Sequence, residues 1–88
     1  MNININTADH EIVDMIYNLI KEQGIIGVCY EDINVLPKEL AKTLTSSEIK
    51  KLCERIDVAI KYLFTTKLIE HTTRDGKDAF KLVHVVIS

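Results

Sequence analysis

The stretch Arg74-Asp75-Gly76-Lys77 constrains the fold more than any other part of the chain. Apolar residues alternate with a period of two on both sides of it, over residues 68–73 and 78–86. Asp-Gly between two such runs predicts a two-residue type I′ turn, because that turn needs positive φ at both central residues and its twist matches the flanking strands. Counting outward from the turn sets the register. Glu70 falls opposite Lys81, His71 opposite Phe80 and Ile69 opposite Leu82, an opposite-charge pair and two compatible apolar pairs.

Upstream of Lys67 the period is that of a helix. Residues 8–23 place Ile12, Ile16, Leu19 and Ile20 on one face, with Thr7 as the expected N-cap, Asp9 and Glu11 at the positive end of the dipole, and Gly24 at C′. Residues 25–30 are short and β-branched and read as a brief strand. Pro37 fits only the first turn of a second helix, whose face is Leu36, Leu40, Ala41 and Leu44 and which ends near residues 43–46. Thr45-Ser46-Ser47-Glu48 then matches a capping box and opens a third helix. Its apolar stripe is Ile49, Leu52, Cys53, Ile56, Ala59, Ile60, Leu63 and Phe64. Asp57 offers a second cap, so either one helix or two segments broken near residues 55–57 is expected.

Eighty-eight residues, 47% hydrophobic and 27% charged, predict one α+β domain spanning residues 1–88. No uncharged run approaches the ~20 apolar residues of a membrane span, and residues 1–9 have no basic start before an apolar block, so neither a membrane anchor nor a secretory signal is expected and the address is cytoplasmic. Cys29 and Cys53 fall within apolar patterns, as core thiols do. His10, His71 and His84 show no metal-ligand spacing, and no metal or other cofactor is expected. There is no phosphate loop, nucleophile elbow or Cys–His setting, and Glu31 and Asp32, adjacent on a strand, would point apart, so the chain does not read as an enzyme. The net charge of −2 is unevenly placed. Residues 1–37 hold one lysine and six acids, net −5, and residues 38–88 hold ten Lys or Arg and seven acids, net +3.

The order helix, strand, helix, helix, strand, turn, strand resembles the winged helix-turn-helix family, with three helices, a short strand after the first and a C-terminal two-stranded β wing. Glu39-Leu40-Ala41-Lys42-Thr43-Leu44 matches the positioning helix. The run from Val58-Ala59-Ile60-Lys61-Tyr62-Leu63-Phe64 to Thr65-Thr66-Lys67-Leu68-Ile69 matches the end of the recognition helix, with Lys67 where the family usually carries Gly. The resemblance implies that the third helix enters the major groove of DNA and that Arg74 to Lys77 form the wing tip. Opposite the apolar stripe lie Ser47, Lys51, Arg55, Val58 and Tyr62, flanked by Lys50 and Lys61. Arg55 suits guanine O6 and N7, and the lysines suit phosphates. Arg74 and Lys77 would meet the DNA backbone or a minor groove. The same residues also fit an ordinary solvated face, with Lys50–Glu54 and Asp57–Lys61 as i,i+4 pairs, and a solubilising hairpin tip.

Val83, Val85, Val86 and Ile87 put apolar side chains on both faces of the last strand, of which the helices can cover one. A homodimer interface is expected there, joined by Ile12 and Ile16 of helix one or by Asn2-Ile3-Asn4-Ile5; the alternative is a monomer in which residues 1–6 fold back over that strand. The resemblance thus implies a homodimeric, sequence-specific double-stranded-DNA-binding protein. It acts either as a small transcriptional repressor or as a centromere-binding adaptor similar to the TubR proteins of tubulin-type plasmid and phage partition systems. An adaptor would leave the acidic helix one, with Asp9, Glu11, Asp14 and Glu22, for a filament-forming or regulatory protein. The rival reading is a winged helix that binds protein and no DNA, which the net charge of −2 favours.

Overall fold

A computed structural model of the chain describes residues 3–83. The elements run α1 (Asp9–Gln23), a 3-10 turn (Gly24–Ile26), β1 (Val28–Cys29), α2 (Tyr30–Ile33), α3 (Lys38–Thr43), α4 (Ser46–Thr65), β2 (Ile69–Arg74) and β3 (Lys77–Leu82). The architecture is α+β, with helices against a three-stranded antiparallel sheet in the order β1-β3-β2. Asp75 and Gly76 both have positive φ, 53° and 78°, as the type I′ turn requires. The expected register holds: Ile69 pairs with Leu82, Glu70 with Lys81 and His71 with Phe80. Lys81 Nζ lies 3.4 Å from Glu70 Oε1, and the His71 and Phe80 rings meet edge to face at 5.9 Å.

The core forms where α1, α4 and the sheet meet. Ile12, Ile16 and Ile20 of α1 face Leu52, Ile56, Ala59, Ile60 and Leu63 of α4, with Ile3, Val28, Ile33 and Ile69 completing the cluster. Leu36, Leu40 and Leu44 lean on it half-buried, the face expected of α3. Ile12 and Ile16 are each 0% exposed. Their side chains are consumed by the chain's own core, which corrects the expectation that they contact a second copy. Ile3 is buried in the same core, so the N-terminal segment folds back onto its own chain. Val83 is half-buried and its amide donates to the Leu68 carbonyl at 3.2 Å. Val85, Val86 and Ile87, the remaining residues of the expected interface, lie outside the described residues.

Two local expectations change, and one open alternative is decided. The Thr7 side chain does not cap α1; it accepts from the Asn4 amide at 2.9 Å, and Ala8 is the capping residue, without a side-chain bond. Strand-like residues 25–30 divide into the 3-10 turn, a two-residue strand and the start of α2. The cause is Gly27, at φ 83° and ψ 168°, a conformation open essentially only to glycine. A Cβ there would lie 3.1 Å from the Phe80 carbonyl oxygen and 3.2 Å from Thr72 Cγ2, so glycine also lets β1 close on β3. Finally, α4 is continuous through Asp57. Asp57 accepts instead from the Tyr30 hydroxyl and, at 2.8 Å, from Asn34 Nδ2, which ties the end of α2 to the middle of α4. That bond and burial hold the Tyr30 phenol above its ordinary pKa.

At the end of α4 the Lys67 amide donates to the Phe64 carbonyl and the Leu68 amide to the Leu63 carbonyl, the two bonds of a Schellman motif. The motif requires a left-handed residue at C′. Lys67 fills it with φ 63°, so a lysine stands in a conformation that glycine adopts at less cost.

Candidate nucleic-acid interface

Two residues, Leu44 and Thr45, separate α3 from α4, and the start of α4 is fixed from both sides. The Glu48 amide donates to Thr45 Oγ1 at 3.2 Å, and the Thr45 amide donates to Glu48 Oε1 at 2.9 Å, the expected capping box. These bonds hold the Glu48 carboxyl below its ordinary value of 4.5.

With Leu52, Ile56, Ala59, Ile60 and Leu63 buried, the opposite side of α4 faces solvent. Ser47, Lys50, Lys51, Lys61 and Tyr62 are all exposed there, as the spacing predicts, together with Val58. The i,i+4 pairs Lys50–Glu54 and Asp57–Lys61 do not form. Among the described residues the ion pairs are Arg55–Asp9, Lys77–Glu31 and Lys81–Glu70, and His71 Nε2 lies 3.0 Å from Asp78 Oδ1. Lys50, Lys51 and Lys61 take part in none of them, and neither do Lys38 and Lys42 of α3, whose positions follow from no helical stripe opposite the core. The helix face therefore presents ammonium groups that no described carboxylate meets at salt-bridge distance, with Lys51 acting on the Glu48 carboxyl from further off.

The hairpin tip differs. Arg74 Nη1 donates to the Gly27 carbonyl at 3.1 Å, and Lys77 Nζ lies 2.7 Å from Glu31 Oε1. The Glu31 contact holds the Lys77 ammonium above the ordinary lysine pKa of 10.5. Both tip cations thus already have partners, at Gly27 just ahead of β1 and at Glu31 of α2. Arg55 is also engaged. Its Nε and Nη2 lie 2.9 and 2.8 Å from Asp9 Oδ1, Nη1 donates to the Ile5 carbonyl at 3.3 Å, and Nη2 also donates to the Thr7 carbonyl. Its donors face the N-terminal segment and α1, set back from the outermost line of α4. No sequence spacing indicates this, because the partners are 46 to 50 positions away.

Between α1 and α4 runs an open groove of about 830 Å³, lined by Asp9, His10, Val13 and Asp14 on one side and by residues from Lys51 to Tyr62 on the other. Val58 and Tyr62 stand in it 67% and 54% exposed. Among the described residues, no group of three or more His, Cys, Asp or Glu side chains comes together as metal ligands, and no helix is long and apolar enough to cross a membrane. Cys29 and Cys53 are free thiols. No protein-family model, curated protein or solved structure matches the chain, so the site is read from its own geometry.

Proposed function

We propose that the chain is a winged helix-turn-helix protein that binds double-stranded DNA as a homodimer, with α3 and α4 as the helix-turn-helix pair, α4 as the recognition helix and the β2–β3 hairpin as the wing. The observation that carries this reading is the outer face of α4. Lys50, Lys51 and Lys61 project from the exposed side of a long, firmly capped helix and join no salt bridge among the described residues. A row of such ammonium groups suits the phosphates flanking a major groove, and Ser47 and Tyr62 supply hydroxyls for base or backbone contacts. The net charge of −2 does not oppose this, since the acidic excess lies in residues 1–37. Bound as a dimer to a two-fold site, the protein would act by occupancy, either as a repressor or as a TubR-like partition adaptor that offers Glu11 and Glu22, the α1 acids outside the groove, to a filament protein. Titration of its own upstream duplex at low salt tests the reading. A Kd that weakens steeply with salt supports it, and no binding refutes it.

The groove beside Val58 and Tyr62 favours one competing reading, docking of a partner protein on the same face. Val58→Lys separates the two. The added cation tightens duplex binding if the face meets phosphates, whereas a face that meets protein shows no duplex binding in either form.

A further inference from the structure

The surroundings of Arg55 have the form of an anion site. Its guanidinium is oriented by backbone, with Nη1 bonded to the Ile5 carbonyl and Nη2 to the Thr7 carbonyl, so its plane is set by the folded-back N-terminal segment. The Nε/Nη2 edge is thereby presented as a fork, the geometry that matches a carboxylate or a phosphate with two parallel N–H groups. Asp9 occupies the fork through Oδ1. Its side chain is 86% exposed and that of Arg55 30%. An ion pair so open to water is weakly held, and a competing anion can replace the carboxylate. The pair lines the groove that Lys51 also lines.

We infer that the Nε/Nη2 edge of Arg55 is a binding site for a phosphodiester of duplex DNA, and that Asp9 occupies it as a built-in competitor that the backbone must displace. This rests on the DNA-binding reading above. It also changes the role expected of Arg55. The flank of a helix lying in a groove meets the sugar-phosphate wall, so Arg55 contacts backbone and contributes affinity, and it does not read a base. When Asp9 leaves, the bonds to the Ile5 and Thr7 carbonyls keep the fork oriented.

The test is fluorescence anisotropy with two labelled duplexes, the upstream sequence and a scrambled one, across a salt series. Asp9→Ala is expected to bind both about five-fold tighter with little change in the slope of log K against log salt, because the same phosphate is held once Asp9 has been displaced. Asp14→Ala makes the same charge change in the same groove without touching Arg55, and is expected to alter Kd less than about two-fold. Arg55→Lys keeps the charge and loses the fork, so in that background Asp9→Ala should gain no more than Asp14→Ala does. Should Arg55→Lys melt below the assay temperature, Asp9→Asn against Asp14→Asn makes the comparison in the intact chain. Equal gains for the Asp9 and Asp14 variants, or a gain that persists with Lys at position 55, overturn the site while leaving DNA binding in place. A gain confined to the upstream duplex restores base reading and overturns it too. Absence of duplex binding by the unmodified protein removes the functional reading, and absence in every variant removes the site with it.

Discussion

At the hairpin tip Arg74 reaches the Gly27 carbonyl and Lys77 pairs with Glu31, whereas on the outer face of α4 Lys50, Lys51 and Lys61 join none of the ion pairs among the described residues. The two regions carry similar side chains with opposite roles. Tip cations tether the hairpin to the Gly27 carbonyl just ahead of β1 and to Glu31 of α2, while the α4 cations join no salt bridge within the described fold. A count of positive charges cannot separate these uses. The separation comes from partners more than 40 positions away in sequence, which exist only once the sheet has closed.

Gly27→Ala should break the tethered side with the largest effect. A side chain at φ 83°, with the Phe80 oxygen at 3.1 Å, is expected to lower unfolding free energy by about 2 to 3 kcal/mol in a urea titration. A loss near zero would mean that β1 closes on β3 without the glycine. Next, Thr45→Ala removes the cap that aims the free side, and thermal melts should show a loss of about 1 kcal/mol. The same variant sharpens a pH dependence. Because the Glu48 carboxyl titrates below its ordinary 4.5 in the fold, the capping box stabilises fully above that value and loses its contribution as pH falls through the lower, folded one. This acid-sensitive component should be absent from Thr45→Ala.

Lys67→Gly should act in the other direction. Relieving a left-handed lysine at the Schellman position is expected to stabilise the fold by about 0.5 to 1 kcal/mol, read from the denaturation midpoint. The smallest effect belongs to Glu31→Ala, which frees Lys77 at the tip. Duplex affinity should rise less than about two-fold, and the Lys77 ammonium should titrate closer to 10.5, followed by NMR of its side chain. In the unmodified protein the Glu31–Lys77 contribution is present below 10.5 and lost as pH rises through the higher, folded value. A large affinity gain from Glu31→Ala would mean that the tip, once released, competes with α4 for DNA.

Local chemistry explains why the hairpin, its register, the capping box and the buried stripe of α4 were legible in the sequence. Asp75-Gly76 and Thr45 to Glu48 each satisfy themselves within four residues, and Leu52 to Leu63 need only a period. What was not legible depends on distant partners. Residues 30–33 are helical where the strand was expected to end, and what ties the end of that turn to α4 is Asp57, 23 to 27 positions away. Ile12 and Ile16 lie on the apolar face of α1, but only the closed core shows that neither side chain remains for a second copy. Within the candidate site, the exposure of Ser47, Lys50, Lys51, Lys61 and Tyr62 followed from their spacing opposite the stripe. The engagement of Arg55, Arg74 and Lys77 did not, since each bond joins segments brought together by the fold.

The central claim is that the α4 lysines bind duplex phosphates, and the salt dependence of binding tests it most directly. For the unmodified protein, log K for its upstream duplex should fall linearly with log salt. Replacing both Lys50 and Lys51 with Ala should make that slope shallower by about 1.8, two phosphate contacts, with the thermal midpoint little changed. No duplex binding at low salt, or a slope unaffected by removing both lysines, would contradict it.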